Sequence, residues 1–576
     1  MQSVFLLTNS LNTGGMSAVV CYHFPKMHRS KPDFHLSNPN EQQRRWQEMR
    51  QYKPEQIVTA RLVLEEIRAG GEVWQAIRHH PQKTGGYIPK HLLVAVYHQQ
   101  VKSGDISEDP ALLAGIRMKP IRTLSGVTTV TVLTKAHPCP GECIFCPTEA
   151  KMPKSYLPDE PGARRAVQHG FDPYEQVSSR LQALEAVGHP TDKIELLILG
   201  GTWDAYPREY QEGFIQRCFD AMNGRESASL EEAQRINESC SHRNVGLVVE
   251  TRPDQITPDQ LAWLRSLGVT KVQMGAQSLD DRILALNRRG HTVADTLRAT
   301  ALLRAGGFKI VLHWMPNLLG ATPESDLQDF ARLWNTAEQG TGFCPDEIKI
   351  YPTQLLKTAE LFNYWERGEY KPYSEEELIQ LVADVKALTP RYCRINRVIR
   401  DIPSYNVVEG SRRSSLRQDA QAELAHRGQH CQCIRCREVR GQSVDVDQLK
   451  FDDLVYLASG SEEHFFSFVT PDDRLAGYLR LSFPNDGTPL TISPDLENAA
   501  IIREVHVYGQ ALAVGTIQAG VAQHSGLGTR LIEQAEMLAR SHGFHNLAVI
   551  SAIGTREYYA GRGFKLSTLY MIKPIE

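Results

Sequence analysis

Short apolar strands alternate with amphipathic helices between residues 117 and 390, and this alternation constrains the fold more than any other feature of the chain. The helical stretches, such as residues 257–266, repeat their apolar side chains at the spacing of one helix face. The alternation predicts an α/β partial barrel, a parallel sheet covered by helices. Functional residues of such barrels lie at the carboxyl ends of the strands. The predicted strands cover residues 128–134, 194–199, 245–250, 271–274, 309–312 and 347–350.

The remaining segments differ in pattern from this region. A chain of 576 residues corresponds to roughly three or four domains. The C-terminal part is β-rich, then contains one strong helix, and then is β-rich again. We therefore predict a poorly ordered extension (1–40), a helical basic module (41–116), the strand–helix domain (117–400), a connector (401–450) and a C-terminal α/β domain (451–576).

Charge and hydropathy exclude several classes of protein. The net charge of −3 and the 41% of hydrophobic residues exclude a uniformly basic nucleic-acid coat and a disordered chain. No apolar run reaches the roughly 18 residues that a membrane-spanning helix needs. The first residues lack the basic and apolar regions of a signal peptide, so we expect a cytoplasmic protein without a membrane partner. Residues 391–440, however, carry a local charge of +6 from eleven arginines.

Three cysteines with the spacing C-x3-C-x2-C follow the first predicted strand, at Cys139, Cys143 and Cys146. Three thiolates on one loop can hold three irons of a [4Fe–4S] cluster and leave the fourth iron open to a small chelating molecule. Zinc would more often take four ligands from paired C-x2-C motifs. Eleven cysteines in a chain of this length are too sparse for a disulfide scaffold.

This spacing, with an aromatic residue before the last cysteine, resembles the radical S-adenosylmethionine superfamily. The resemblance implies that the open iron binds S-adenosylmethionine and that an external electron donor drives its cleavage to a 5′-deoxyadenosyl radical. Where many members of that superfamily carry an acidic residue, this chain has Thr202. His313 is as well explained by packing as by a site role. Several residues at the carboxyl ends of predicted strands are expected to contact this cofactor. They are Gly200, Gly201, Thr202, Glu250, Arg252, Gln273 and Gln277.

A glycine-rich stretch of the form Q-x-x-G-x-G precedes the strong helix of the C-terminal domain. Its glycines let the backbone approach a pyrophosphate, and the helix start offers free N–H groups. The stretch resembles the pyrophosphate loop of GNAT acetyltransferases, which implies acetyl-CoA as a co-substrate. Tyr558 or Tyr559 could protonate the leaving thiolate, or both could pack beside the acyl cleft. The residues of the expected coenzyme site are Gln523, Gly526, Leu527, Gly528 and Thr529.

A second cysteine cluster, C-x-C-x2-C, occupies the predicted connector at Cys431, Cys433 and Cys436. Three thiolates and one further ligand form a tetrahedral site for Zn²⁺, which we interpret as structural. The surrounding arginines suit RNA phosphates, although some must form intramolecular ion pairs. The sequence leaves the fourth ligand open among His430, His426, Cys344 and Cys393.

A radical S-adenosylmethionine core, a cysteine-rich connector and a GNAT domain on one chain resemble the family of Elongator catalytic subunits over residues 42–573. Shared stretches include residues 122–127, 250–254, 287–291, 400–403, 433–438, 523–528 and 556–559. The resemblance implies modification of the wobble uridine in the tRNA anticodon loop, with the basic module over 41–116 binding tRNA. The radical would abstract a hydrogen from the methyl group of acetyl-CoA, and the resulting carbon radical would add to C5 of uridine. Hydrolysis of the thioester would leave a carboxymethyl-type group.

Two alternatives stay open on the sequence. One is a protein lysine acetyltransferase with a structural iron–sulfur domain, and the other is a non-catalytic tRNA-binding scaffold. The intact cysteine motif favours the enzyme, and the basic connector favours tRNA over a basic peptide. The tRNA species, a homodimer and accessory subunits also stay open.

Overall fold

The computed structural model describes residues 51–83, 85–335, 342–440, 442, 444–485, 492–508 and 526–575. The predicted extension over 1–40 and Gln523 lie outside these residues. The helices are α1 (Pro54–Arg68), α2 (Val73–His79), α3 (Lys90–Ser103), α4 (Pro110–Ile116), α5 (Pro161–Gln168), α6 (Pro173–Glu185), α7 (Arg208–Asn223), α8 (Leu230–Asn237), α9 (Pro258–Ser266), α10 (Asp281–Leu286), α11 (Val293–Ala305), α12 (Pro323–Arg332), α13 (Leu361–Glu366), α14 (Glu375–Leu388), α15 (Leu416–His426), α16 (Ile434–Arg437), α17 (Leu527–Ser541) and α18 (Arg556–Ala560).

The strands form two large sheets and one small one. They are β1 (Thr128–Leu133), β2 (Lys193–Leu199), β3 (Arg243–Thr251), β4 (Lys271–Gln277), β5 (Lys309–Trp314), β6 (Glu347–Ile350), β7 (Leu355–Leu356), β8 (Arg394–Val398), β9 (Val407–Glu409), β10 (Lys450–Ala458), β11 (Ser461–Val469), β12 (Leu475–Pro484), β13 (Ala499–Val507), β14 (Asn546–Val549), β15 (Lys565–Leu566) and β16 (Met571–Pro574).

The first sheet is parallel throughout, in the order β1-β2-β3-β4-β5-β6-β8. The predicted partial barrel is thereby confirmed, and all six predicted strands are present. The seventh strand, β8, was not predicted, because its sequence RINRV contains only two apolar residues. Several crossover helices begin at a side-chain cap. At the start of α9, Thr257 accepts a hydrogen bond from the Gln260 backbone, and Pro258 occupies the first turn.

The second sheet has the order β10-β11-β12-β13-β14-β16-β15. All of its pairs are antiparallel except β13 with β14. This parallel pairing covers only residues 499–502 of β13, although β13 continues to Val507. The two strands therefore part beyond Ile502, and α17 packs against β12 and β13.

The amino ends of the parallel strands meet the second sheet through buried charges that alternate in sign. Each residue of this chain contacts the next within ion-pair distance, and the five cations balance the five anions. We call this set the ion-pair chain. In order it runs Arg304, Glu463, Arg503, Asp346, Arg480, Glu504, Lys309, Glu347, Lys271 and Glu195.

Helices α1 to α4 have an apolar core of their own, which includes Val63, Leu64, Leu92 and Leu93. Residues of both large sheets, in contrast, share one continuous core. Among the described residues, none of the helices combines the length and the apolar character needed to cross a bilayer.

Candidate active site

The three cysteines of the first motif lie on the loop that follows β1. Cys143 is buried, and Cys139 and Cys146 are partly buried. A hydrogen bond with Cys146 and the nearby Arg289 and Arg252 guanidiniums lower the pKa of Cys143 to about 5, against the effect of burial. A thiolate is the form that binds a metal, so this loop is electrostatically prepared for one.

Two buried arginines hold this loop in place. Arg289 points one terminal nitrogen at Cys143 Sγ, 3.5 Å away, and donates from the other to the Gly275 carbonyl. Arg252 donates to the carbonyl of Arg289 and pairs with Asp254 at 2.9 Å. A Cβ atom at Gly141 would overlap Arg252 Nη1, so any other residue here would displace this guanidinium from the loop. Sequence reasoning did not assign Arg289, because a single arginine on a loop gives no local signal of its partner.

The predicted glycine turn lies beside the same cysteines. Gly200 and Gly201 have φ angles of 145° and 92°, which other residues rarely adopt. A Cβ atom at Gly200 would overlap the Thr134 hydroxyl. The Thr202 hydroxyl lies 3.4 Å from Cys139 Sγ. Gly201 and Thr202 line the cavity next to the cysteines, so the backbone of this turn borders the space that a bound molecule would occupy.

A buried polar network extends inward from the cysteines. Glu250 accepts a hydrogen bond from the Tyr156 hydroxyl at 2.7 Å. Gln273 Oε1 lies 3.0 Å from His313 Nε2 and also accepts from Lys349. Burial and the charge of Lys349 lower the pKa of His313, so its imidazole is neutral at pH 7. Sequence reasoning missed Tyr156 and Lys349, which join the network from distant parts of the chain.

One cavity of about 400 Å³ is lined by the three cysteines, by Gly201 and Thr202 of the glycine turn, and by Tyr156, Glu250, His313 and Lys349 of the network, whereas Gly200 and Gln273 do not line it. Two buried polar atoms that face it, Arg252 Nη1 and Gln277 Oε1, have no hydrogen-bond partner among the described residues. Gln277 also has a φ angle of 70°. Such unpartnered groups are costly unless a ligand satisfies them. Thiols, open backbone and unpartnered polar atoms together fit an iron–sulfur cluster with a polar organic cofactor.

The start of α17 forms the second predicted site. A Cβ atom at Gly528 would lie 2.5 Å from the Tyr558 hydroxyl, so this hydroxyl sits directly over the helix start. Arg562 stacks 3.6 Å from the Tyr558 ring and donates to the Thr529 hydroxyl at 2.8 Å. Tyr559 is only 7% exposed and packs against Phe564. Of the two tyrosines, only Tyr558 therefore reaches the glycine-rich helix start.

Strand β13 carries two further polar residues close to this region. Lys309 and Arg480 lower the pKa of Glu504 to about 2 despite its burial, so Glu504 is ionised within the ion-pair chain. Burial lowers the pKa of His506 to about 4, and its ring stacks 5.7 Å from Tyr478. Glu504 therefore acts structurally, and His506 is neutral at pH 7.

The sulfur atoms of Cys431, Cys433 and Cys436 lie within 4.8 Å of one another. Hydrogen bonds from the other two thiols lower the pKa of Cys433. The described part of the chain adds no fourth ligand atom to this group, so none of His430, His426, Cys344 and Cys393 joins it. The cluster can bind a metal with three protein ligands.

All eleven arginines of residues 391–440 contact carboxylates or carbonyls of the protein itself, which reduces the positive charge available to RNA in this stretch. Arg400 pairs with Glu160 at 2.8 Å, and Arg427 pairs with Asp384 at 2.5 Å. The guanidiniums of Arg412, Arg417, Arg435 and Arg440 donate to backbone carbonyls, and Arg391, Arg394, Arg397, Arg413 and Arg437 pair with carboxylates.

The sequence matches the radical SAM superfamily over residues 136–333 and the radical SAM C-terminal domain over residues 345–426. These matches and the parallel half-barrel place the chain in the class of radical SAM proteins. Such a domain implies a [4Fe–4S] cluster and S-adenosylmethionine.

Individual relatives show to which family within the radical SAM proteins the chain belongs. The tRNA uridine(34) acetyltransferase of Dehalococcoides mccartyi (strain CBDB1) is 44% identical over 79% of this chain and 99% of its own length. Elongator complex protein 3 of Homo sapiens is 35% identical over 81% and 87% of the two chains. The solved structure of an N-terminally truncated archaeal Elp3, from Methanocaldococcus infernus, has a TM-score of 0.68 at 38% identity and covers 78% of this chain and 100% of that one. The chain belongs to the family of tRNA uridine(34) acetyltransferases and Elongator complex protein 3, which confirms the predicted resemblance.

Proposed function

We propose that this protein modifies the wobble uridine in the anticodon loop of tRNA. It would use acetyl-CoA and radical S-adenosylmethionine chemistry to install a carboxymethyl-type group at C5. One observation carries the proposal: a cavity lined by three cysteines in the parallel-sheet domain and a glycine-rich helix start beneath a tyrosine hydroxyl in the C-terminal domain occur together on one chain, whose two large sheets share one continuous core. The name of the relative from Dehalococcoides mccartyi describes an acetyltransferase acting on tRNA uridine 34 and supports the same substrate.

In the cysteine cavity, Cys139, Cys143 and Cys146 would hold the [4Fe–4S] cluster. When bound, the reduced cluster and S-adenosylmethionine supply a 5′-deoxyadenosyl radical, which is strong enough to remove a hydrogen atom from a methyl group. The surrounding side chains orient the cofactor and satisfy its polar groups. We assign these contacts to Gly200, Gly201, Thr202, Glu250, Arg252, Gln273 and Gln277.

In the C-terminal domain, the start of α17 would bind the pyrophosphate of acetyl-CoA, as in GNAT acetyltransferases. The parting of β13 from β14 beyond Ile502 supports this role, because it leaves room between the strands for an extended ligand. Tyr558 is the better proton donor of the tyrosine pair, since its hydroxyl lies over the helix start while Tyr559 is in the core. Burial raises the pKa of Tyr558, so the phenol keeps its proton at pH 7. The coenzyme contacts are assigned to Gln523, Gly526, Leu527, Gly528 and Thr529.

The second cysteine cluster would bind a structural Zn²⁺ through Cys431, Cys433 and Cys436. The fourth ligand would be an atom other than these three thiolates. We keep the domain limits 1–40, 41–116, 117–400, 401–450 and 451–576 as part of the proposal, together with a cytoplasmic location and an external electron donor.

The test is nucleoside mass spectrometry of tRNA after anaerobic incubation of the reconstituted full chain with acetyl-CoA, S-adenosylmethionine and a reductant. We expect a carboxymethyl-type uridine with the wild-type chain and none with Cys143→Ala. Cys240→Ala is the matched control, because Cys240 is a partly buried thiol away from the cavity. A modified uridine formed by Cys143→Ala would refute the radical role.

Acetylation of a basic peptide without any change in tRNA would instead favour a protein lysine acetyltransferase. Failure of tRNA to stimulate acetyl-CoA turnover would contradict the proposed substrate.

A further inference from the structure

Three arginines line the same cavity as the cysteines but come from elements packed against the edge strand β1. Arg122 lies in the short turn Pro120–Thr123, Arg165 in α5 and Arg180 in α6. We call them the arginine triad. Arg122 is exposed, and the other two are half-buried.

The triad is not neutralised by the protein. Within the described ranges, none of the three arginines forms an ion pair with a carboxylate, and Arg165 donates only to the Pro161 carbonyl, in its own helix. Burial, Arg165 and Arg122 together lower the pKa of Arg180 to about 10. The mutual repulsion indicated by this pKa is relieved when an anion binds between the guanidiniums.

The nearby carboxylates already have other partners. Glu160 pairs with Arg400, and Asp159 accepts from the Asn406 amide. Asp172 caps α6 through the Glu175 backbone. The positive charge of the triad is therefore available to a molecule that comes from outside the chain.

The position of the triad limits what that molecule can be. Strands β1 and β8 are the two edges of the parallel sheet, so the barrel is open between them. The triad approaches this opening from the β1 side, and Arg397 of β8 lines the cavity from the other side. A ligand held here by its anionic group can extend toward the cysteines.

We propose that Arg122, Arg165 and Arg180 bind a backbone phosphate of the RNA strand whose uridine enters the cysteine cavity. A single-stranded nucleotide fits this arrangement, because its phosphate and its base point in different directions from the sugar. Arginine is suited to the phosphate, since its planar guanidinium can donate two parallel hydrogen bonds. The inference rests on the proposed function, and it assigns the phosphate contact at the mouth of that site.

The phosphates of coenzyme A share this chemistry, so the experiment must separate the two sources. Full-length chain is titrated against a fluorescent anticodon stem–loop RNA at several salt concentrations, and separately against coenzyme A by calorimetry. The variants are Arg165→Gln/Arg180→Gln and the charge-retaining Arg165→Lys/Arg180→Lys. The matched control, Arg208→Gln/Arg298→Gln, also removes two arginines, but these are surface residues paired with Asp259 and Asp295.

We expect the glutamine pair to weaken RNA binding about tenfold and to reduce the slope of log Kd against log salt by about 0.7, the value for one single-strand phosphate contact. The lysine pair should recover the slope more fully than the affinity, because lysine keeps the charge but not the paired geometry. The control should stay within about twofold of wild type. Coenzyme A binding should not change. If circular dichroism shows that the glutamine pair is unfolded, Arg165→Gln alone should weaken RNA binding about threefold.

RNA binding that is equal in the wild type and the glutamine pair would overturn the inference and leave the proposed function intact. Loss of coenzyme A binding in place of RNA binding would assign the triad to the coenzyme and also overturn it. A wild-type chain that binds no RNA at all would overturn both the inference and the proposed function.

Discussion

Asp346 is the point of the ion-pair chain at which a substitution should disturb the structure most. Its carboxylate is fully buried and accepts from Arg503 at 2.6 and 2.8 Å and from the Ile310 backbone at 2.8 Å. Arg480 lies 3.3 Å away and is also buried. Asp346→Asn keeps the volume but removes one of the five negative charges, so one buried positive charge loses its balance.

The size of the effect follows from this imbalance. Removing one partner of a buried ion pair costs about 3–5 kcal/mol, because the other charge stays desolvated. The asparagine oxygen can still accept one hydrogen bond, and Glu463 still holds Arg503 at 2.8 Å. We therefore expect a loss of about 3 kcal/mol in the free energy of unfolding, equivalent to a shift of about 0.5 M in the urea midpoint, because the urea dependence of a chain this long exceeds the roughly 1–3 kcal/mol/M of small proteins.

The pH dependence provides an independent check. Arg503 and Arg480 outweigh burial and hold the pKa of Asp346 below its ordinary value. A carboxyl group whose pKa is lowered by folding stabilises the protein above its unfolded-state pKa of about 4, and this contribution is lost as the pH falls through the folded-state pKa. The difference between wild type and Asp346→Asn should therefore be full at pH 7 and shrink below about pH 4.

The assay is urea unfolding of the apo-protein followed by circular dichroism at pH 7 and pH 3. Asp259→Asn is the control, since Asp259 is 82% exposed in its pair with Arg208, and it should cost under about 1 kcal/mol. Combining Asp346→Asn with Arg503→Met should cost less than the sum of the single changes. Equal midpoints for the two aspartate variants, or a difference at pH 3 that is as large as the difference at pH 7, would refute the reasoning.

Three further predictions concern the sites. Gly141→Ala should lower both the iron content and the thermal stability of the reconstituted chain, because the new Cβ overlaps Arg252. The control Gly213→Ala in α7 has open space around the new Cβ and should be neutral or slightly stabilising. Iron analysis and melting curves would check both variants. Tyr558→Phe should slow acetyl-CoA turnover about 10²-fold, whereas Tyr559→Phe should mainly lower stability, and turnover rates that fall equally in both variants would contradict the assignment. A zinc chelator should lower the melting temperature of the wild type but not of Cys433→Ser, as differential scanning fluorimetry would show.

The sequence predicted those parts of the fold and of the candidate site whose signal is local. The cysteine motif lies within one loop and the Gly200–Gly201 turn within another. Residues that are close together within each motif in the sequence are therefore also close together in the structure. The inner network could not be predicted in this way. Tyr156 meets Glu250 across 94 positions of sequence, and Lys349 meets Gln273 across 76. The periodicity of apolar residues in the sequence does not predict such contacts, because they depend on which strands are neighbours in the sheet.

Strand β8 was missed for a related reason. Strand prediction depends on apolar runs, and β8 contributes Arg394, Asn396 and Arg397 to polar contacts around the barrel. The Arg394 guanidinium pairs with Glu438, and the Asn396 amide donates to Glu347. An edge strand whose polar side chains are paired by the rest of the fold looks like a loop in the sequence, although Ile395 lies in the core.

Charge shows the same difference between local sequence and structure. The arginine-rich stretch 391–440 sums to +6, yet its guanidiniums contact carboxylates and backbone carbonyls of the protein itself. Residues 159–185 sum to −2, yet they contain Arg165 and Arg180, which have no carboxylate partner among the described residues. Several acidic residues of the second stretch are engaged elsewhere, as Glu160 is with Arg400 and Asp159 with the Asn406 amide. The charge available to an anionic substrate is the charge that remains after these internal partners are removed, and Arg165 and Arg180 place part of that charge at the cavity.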